Sequence, residues 1–167
     1  MEAITFPPWQ SSQTFLEIAK MTEFLELYHG SDEPLVKNEL REPYRCVFAH
    51  CNEASALSHG DIVNILKVRN ICKGWLDAEH GYEKTKDALS KALSDHSLAL
   101  SYFDFDEIYN IVIYEEEEII REKDLITDYE LMIELQALRA DVAKLLGFDA
   151  VDCRDEHGTS YQVVKWF

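Results

Sequence analysis

Residues 23–31 read EFLELYHGS, and this stretch decides how the fold begins. Apolar residues and a histidine alternate with acidic and aromatic side chains, a period of two that is typical of a half-buried strand. The spacing predicts a strand from Glu23 to His29. Gly30, Pro34 and the polar residues around them predict a loop that runs to about Pro43.

A strand, a short helix and another strand are predicted directly after this loop. Residues 45–50 (RCVFAH) predict a second strand, and residues 62–68 (IVNILKV) predict a third. Between them, residues 53–59 predict a helix of small residues with Asn52 as its N-cap. Gly60 stands where a C′ glycine would end that helix.

The chain ends in a long helix and a predicted hairpin. Residues 127–130 have the form of a capping box, and the stripe that follows ends at Gly147. The stripe consists of Leu131, Leu135, Leu138, Val142 and Leu145. Two final strands, at about 148–153 and 160–166, are joined by residues 155–158 (DEHG).

The middle of the chain is predicted to be helical. Residues 82–96 place alanines and leucines on one face, and residues 104–107 form a second capping box. The element order indicates a single α+β domain rather than a regular βαβ alternation. We divide it into an arm and helix (1–22), a first strand region (23–68), a helical middle (69–146) and a terminal hairpin (147–167).

Charge excludes several function classes. The 167 residues include 16 Lys and Arg against 32 Asp and Glu, a net charge of −16. Direct binding to nucleic acid phosphates or to an anionic membrane surface is therefore disfavoured. Residues 75–146 alone carry a net charge of −11. Within them, the acidic run 115–118 predicts a solvated helix face, with a partner-binding patch as the alternative.

The sequence carries no sign of export or of metal binding by the common motifs. The first 19 residues contain no Lys or Arg, and no run approaches the roughly 18 apolar residues of a membrane span. Four cysteines occur without a CxxC pair, so we expect reduced thiols in the cytoplasm. A metal site of Cys46, Cys51, His50 and His29 is the less favoured alternative.

Taken singly, the polar residues near these turns have ordinary explanations. His29 at a strand end suits a structural histidine, and Asp155 followed by Gly158 suits a type I turn. Ser58 and His59 fit the exposed last turn of a helix. The GxGxxG, Walker, GxSxG and HExxH signatures are absent.

Taken together, three strings in this order resemble one family. YHGS (28–31), ALSHG (56–60) and DEHGT (155–159) resemble the phage-encoded anti-CRISPR ADP-ribosyltransferases that disable type I-F surveillance complexes. The resemblance implies a mixed β-sheet core with an inserted helical middle. It also implies an NAD-dependent protein mono-ADP-ribosyltransferase that modifies a CRISPR subunit in the host cytoplasm and blocks DNA recognition.

The resemblance also implies site roles. Asp155 would be the carboxylate that stabilises positive charge on the ribose ring, and Glu156 is the alternative acid. His29 would bind the adenosine ribose, and the Gly30 backbone and the Ser58 hydroxyl would bind the nicotinamide amide. NAD binding is thus assigned to His29, Gly30, Ser31, Phe48, Ser58 and His59, where Phe48 or His59 stacks on the nicotinamide ring. The early loop offers Lys37, Arg41 and Arg45 to the pyrophosphate.

Two departures and two alternatives remain. The wider histidine-class transferases usually have tyrosines in the second motif and a glutamate as the acid, where this chain has Phe48, His59 and Asp155. One alternative function is a non-enzymatic inhibitor whose acidic surface mimics DNA. The other is a toxin of the same fold that modifies another target.

Overall fold

The structure is a computed structural model, and it describes residues 24–37, 39–154 and 160–167. The predicted N-terminal arm and helix of residues 1–22 lie outside the described residues. So do the catalytic candidates Asp155 and Glu156. Within the described ranges, no helix is long and apolar enough to cross a membrane.

A six-stranded sheet forms the centre of the fold. Its strands are Leu25–Ser31 (β1), Val47–His50 (β2), Ile62–Val68 (β3), Ile71–Cys72 (β4), Ala150–Asp152 (β5) and Ser160–Val163 (β6). They lie in the order β3-β1-β2-β6-β5-β4. Neighbours are antiparallel except β4 and β5, which are parallel. The sheet is therefore mixed, which confirms the predicted α+β class.

The first three strands follow the predictions closely. β3 has the predicted bounds, whereas β1 continues two residues past His29, because Gly30 pairs with Val63 and Ser31 with Ile62. β2 begins later than predicted. Arg45 has a φ of 54°, a left-handed conformation that a strand cannot contain.

The terminal hairpin is confirmed, but its strands are shorter than predicted. Asp149 lies just before β5, and its carboxylate accepts hydrogen bonds from the N–H groups of Arg69 (2.9 Å) and Asn70 (3.1 Å). The turn held by these bonds leads into β4, which was not predicted. Two residues are too few to show a periodic pattern, so β4 was included in the helical middle.

Six α-helices accompany the sheet in the described residues. They are Glu53–Leu57 (α1), Tyr82–Ala92 (α2), Ser97–Tyr102 (α3), Phe105–Tyr114 (α4), Glu117–Glu122 (α5) and Tyr129–Leu146 (α6). The predicted helix 82–96 is α-helical only to Ala92 and continues as the 3₁₀ turn Leu93–Asp95.

The two predicted capping boxes have different outcomes. The box at α4 is confirmed, because the side chains of Asp104 and Glu107 each accept a hydrogen bond from the other residue's backbone N–H. The box at α6 is wrong by one residue. Asp128 is the N-cap and accepts from the N–H of Leu131 at 3.0 Å, so Thr127 does not cap the helix.

The buried stripe of α6 is confirmed except at its end. Leu145 is 51% exposed, and Leu146 is buried in its place. The helix contacts both α2 and β5, so its buried side is broader than one stripe. Gly147, with a φ of 87°, ends the helix as predicted.

The two larger apolar cores lie on opposite faces of the sheet. The helical layer α2–α6 shares one core with Cys72, Phe148 and Val151. The other core includes Leu27, Leu66 and Ala150, the residue that precedes Val151 on β5. Because successive strand residues point to opposite faces, Val151 and Ala150 assign these cores to the two sides of β5.

Helix α1 lies in direct backbone contact with β1. A Cβ atom on Gly30 would stand 1.8 Å from the carbonyl oxygen of Ala56, and one on Gly60 would stand 2.4 Å from the carbonyl carbon of Ser31. The predicted C′ role of Gly60 is wrong, because Ser58 is the C-cap and Gly60 has no positive φ. Both glycines instead permit close approach.

We expect Gly60→Ala to lower the free energy of unfolding by about 2 kcal/mol, because the added methyl group would meet backbone that cannot move aside. Gly74→Ala is the matched control, since its Cβ would meet neighbours at 3.8 and 4.0 Å, ordinary contact distances. Urea denaturation of the three proteins measures the effect. Equal stability of the two variants would contradict this account of α1.

Candidate active site

β1 and β2 pair at Tyr28 and His50, and the side chain of His29 bridges the two strands beside this pair. His29 Nδ1 lies 2.6 Å from the carbonyl oxygen of Phe48. A carbonyl oxygen only accepts, so Nδ1 carries the proton of this bond. In the neutral ring, Nε2 is then an acceptor.

The second ring nitrogen of His29, Nε2, is buried and has no hydrogen-bond partner among the described residues. Such an atom is unusual, because leaving a buried polar group unsatisfied costs about 1–3 kcal/mol. A hydroxyl group that donates to Nε2 would remove this cost.

The surroundings of His29 keep its ring neutral. Burial lowers the pKa of His29 below its ordinary value of 6.5, and the hydrogen bond to Phe48 opposes this shift. The neighbouring Arg41 guanidinium and the rings of His50 and His59 lower the pKa of His29 further. At neutral pH, Nε2 is therefore unprotonated and ready to accept.

Helix α1 places the second motif (residues 56–60) beside β2. The ring of His59 stacks on that of His50, with ring centres 5.0 Å apart and planes 4° from parallel. Ser58 is exposed, and its hydroxyl donates to the carbonyl oxygen of Ser55 at 2.7 Å. Its oxygen lone pairs remain able to accept from an amide N–H.

The residues that flank the third motif lie near His50. Ser160 lies opposite His50 in the β2–β6 pair, and its hydroxyl lies 3.3 Å from His50 Nδ1. On the other side, the N–H of Cys153 donates to the carbonyl oxygen of Ser160 at 2.9 Å. The sheet therefore gathers the first two motifs and the flanks of the third.

Comparison with known proteins decides the family. A family model described as "Anti-CRISPR Type I-F ADP-ribosyltransferase AcrIF11" matches residues 25–166. The chain belongs to this family. It is an NAD-dependent ADP-ribosyltransferase with anti-CRISPR function, as the three strings implied. A protein of a CRISPR complex is therefore its target.

A solved structure supports the fold of the transferase. A chain described as "Crystal structure of an anti-CRISPR protein" superposes with a TM-score of 0.60 at 20% identity. The match covers 87% of the transferase and 93% of the other chain. No curated protein matches the sequence.

Ser31 occupies a closed hydrogen-bond network in the transferase. It is 3% exposed, donates to the carbonyl oxygen of Glu33 at 2.6 Å, and accepts from Asn64 Nδ2 at 2.9 Å. Asn64 also accepts from the N–H of Leu35 at 3.0 Å. Asn64 was not predicted as a site residue, although a polar side chain inside the apolar run IVNILKV could have indicated it.

Gly30 is buried beneath α1, although the family resemblance implies that its backbone binds the nicotinamide amide. Contact with Ala56 is a separate requirement that by itself excludes a side chain at this position.

Phe48 lies two residues before His50 on β2, so the side chains of Phe48 and His50 point to the same face of the sheet. Its ring contacts Tyr44 edge-on at 5.3 Å and forms part of the wall of a cavity of about 520 Å³. Helices α4, α5 and α6 contribute the opposite wall, and Cys153 and Arg154 stand at its border. Phe48 therefore lines this cavity, whereas His59, the other candidate for nicotinamide stacking, lies over His50.

The acidic run 115–118 is not uniformly solvated. Glu116, Glu117 and Glu118 are exposed, but Glu115 is half-buried and forms an ion pair with Arg139 in the same cavity. Glu115 ends α4 in a left-handed conformation, with a φ of 60°. The solvated helix face predicted for the run is therefore wrong for Glu115.

Arg45 is not available to the pyrophosphate. Its guanidinium forms an ion pair with Asp141 at 2.6 Å and lies 3.7 Å from Asp95. The carboxylate of Asp141 also contacts the buried ring of His96 at 3.0 Å. The residues between 32 and 42 surround a separate cavity of about 670 Å³, to which Arg41 contributes among four acidic residues.

We expect the stability of the transferase to decrease as pH falls below about 6.5. The pKa of His29 is depressed in the folded state, so protonation favours the unfolded chain between the ordinary value and the lower folded value. In His29→Asn, the side-chain amide keeps a donor for Phe48 but does not titrate. Its stability should fall less between pH 7.5 and 5.5 in urea denaturation. An equal fall in both proteins would contradict the buried neutral state of His29.

Proposed function

We propose that this transferase binds NAD at the junction of β1, β2 and α1, and transfers ADP-ribose to a DNA-reading subunit of a type I CRISPR surveillance complex. Among the proposed NAD-site residues, His29, Ser58 and His59 contact NAD, whereas Gly30, Ser31 and Phe48 hold these residues in place. Asp155 is the proposed catalytic acid, and Glu156 is the alternative. The segments 23–68 and 147–167 carry this chemistry within one domain.

The observation that carries the proposal is the buried Nε2 atom of His29, which has no hydrogen-bond partner in the part of the chain that the structure describes. The bond from Nδ1 to Phe48 orients the ring, and burial keeps Nε2 free of a proton. A ribose hydroxyl is a donor of the right kind, because it donates one hydrogen bond and carries no charge. This side chain then recognises the adenosine ribose of NAD.

The residues near His59 suit the nicotinamide end of the same molecule. Ser58 Oγ has a free acceptor lone pair for the amide N–H₂ group, and the exposed ring of His59 offers a flat surface beside it. Ser31 has a structural role, because its hydrogen bond from Asn64 holds the end of β1 against β3. Phe48 supports His29 through its carbonyl group.

A carboxylate is needed where the bond between nicotinamide and ribose breaks. Positive charge spreads over the ribose ring in that transition state, and a fixed negative group stabilises it. Asp155 follows Arg154 directly, and residues 155–159 return to the sheet at Ser160 beside His50. This connectivity supports Asp155 or Glu156 as that group.

The charge distribution supports a basic target surface. The segment 75–146 carries a net charge of −11, and its exposed side chains include those of Glu116, Glu117 and Glu118. Acidic surfaces speed the approach to basic ones, and a subunit that reads DNA presents such a surface. The protein itself is not expected to contact nucleic acid or a membrane.

We expect incubation with NAD and a purified type I-F surveillance complex to add the mass of ADP-ribose to one subunit. The transferase should act at less than one copy per complex, and intact-mass spectrometry of each subunit measures the product. Asp155→Ala should lower the rate at least a hundredfold, by analogy with other preorganised electrostatic groups. His29→Asn should raise the KM for NAD at least tenfold, because it deletes Nε2 but keeps a donor for Phe48.

Asp87→Ala is the matched control, because Asp87 is an exposed aspartate on α2. It should retain the wild-type rate. Inhibition that needs one copy per complex and no NAD would favour the DNA-mimic alternative instead. Modification of a protein outside the complex, with none of its subunits modified, would favour the toxin alternative.

A further inference from the structure

We propose that Trp75 is a positioning residue for ADP-ribose transfer, acting by holding Arg154 at the start of the turn that carries the catalytic acid. This inference rests on the proposed function, in which Asp155 or Glu156 supplies the carboxylate. Neither Trp75 nor Arg154 belongs to the three family-like strings.

Arg154 has a backbone conformation that its surroundings must maintain. Its φ is 49°, in the left-handed region that a residue with a Cβ adopts only at an energetic cost. Its N–H donates to Asp152 Oδ1 at 2.8 Å, which closes a short turn at the end of β5. This conformation sets the direction in which the chain leaves Arg154.

The side chain of Arg154 is held by an aromatic ring. Its guanidinium carbon lies 3.7 Å from the centre of the Trp75 ring, and indole is the strongest aromatic partner for a cation. Trp75 is 39% exposed, so the stack forms at the protein surface rather than as part of the core.

Trp75 is in turn held by the helical layer. Its ring contacts Tyr114 of α4 edge-on at 5.8 Å. The Tyr114 hydroxyl donates to Asp77 Oδ2 at 2.6 Å, and the Tyr109 hydroxyl lies 3.3 Å from the same atom. These contacts connect α4 to the end of β5 through Trp75.

The covalent geometry makes this connection relevant to chemistry. Consecutive Cα atoms are about 3.8 Å apart, so the position and backbone angles of Arg154 determine where Asp155 begins. A displacement of about 1 Å at a reacting group can cost a hundredfold in rate. The proposed NAD-binding residues lie on β1, β2 and α1, and none of their described contacts involves Trp75.

The experiment compares steady-state kinetics of the full-length transferase with NAD and the surveillance complex. Trp75→Leu should lower kcat about tenfold and leave the KM for NAD within twofold. Trp75→Phe should recover most of the rate, because phenylalanine also presents an aromatic face to the cation. Tyr82→Leu is the control, since Tyr82 is an exposed ring with a cation, Lys86, 5.5 Å away. It should keep the wild-type kcat.

Thermal melting of each variant separates positioning from unfolding. If Trp75→Leu melts well below the wild type, Arg154→Met tests the same stack and should give the same fall in kcat. An unchanged kcat in a folded variant without the stack would overturn the inference, and so would a loss that Trp75→Phe does not recover. Asp155→Ala and Glu156→Gln are measured in parallel. If neither substitution lowers kcat, the proposed function fails. If Asp155→Ala or Glu156→Gln lowers kcat but Trp75→Leu has wild-type kinetics, only the positioning role of Trp75 is overturned.

Discussion

The backbone contact between α1 and β1 is the constraint on which the candidate site depends. A side chain on Gly30 would overlap the carbonyl group of Ala56, and one on Gly60 would overlap Ser31. The absence of both side chains lets α1 lie against the strand, and this places His59 over His50. His50 in turn neighbours Ser160, where the third motif rejoins the sheet. A shift of α1 would therefore separate the second motif from the first and the third.

Because of this contact, the histidine and the glycine of the first two motifs have different roles. In the pairs His29–Gly30 and His59–Gly60 the glycine permits close packing, and the adjacent histidine side chain is available for another role. His29 uses one nitrogen to join β1 to β2 and leaves the other without a hydrogen-bond partner among the described residues, whereas His59 stacks on a neighbouring ring. Because a packing requirement and a chemical requirement fall on adjacent residues, these short strings identify the family better than composition does.

The sequence predicted what local chemistry controls. The bounds of β3, the cap of α4 and the end of α6 at Gly147 follow from periodicity and capping, and all three are confirmed. What it missed depends on distant partners. β4 forms by pairing with β5, and Arg45 forms an ion pair with Asp141. The half-buried Glu115 forms an ion pair with Arg139. In the candidate site, His29 was identified by resemblance. Its hydrogen bonds could not be predicted, because Nδ1 donates to Phe48 on β2 and its carbonyl oxygen accepts from Asn64 on β3, strands far apart in the sequence.

We propose that NAD binds at the junction of β1, β2 and α1, and that the helical layer supports this site and faces the target. The central proposal is that His29 Nε2 recognises NAD through a hydroxyl group. A crystal structure of the Asp155→Ala protein with NAD tests this most directly. The account predicts an adenosine ribose hydroxyl within about 3 Å of Nε2, a hydrogen-bond distance, with the nicotinamide beside Ser58 and His59. NAD bound elsewhere, with Nε2 still without a partner, would contradict it.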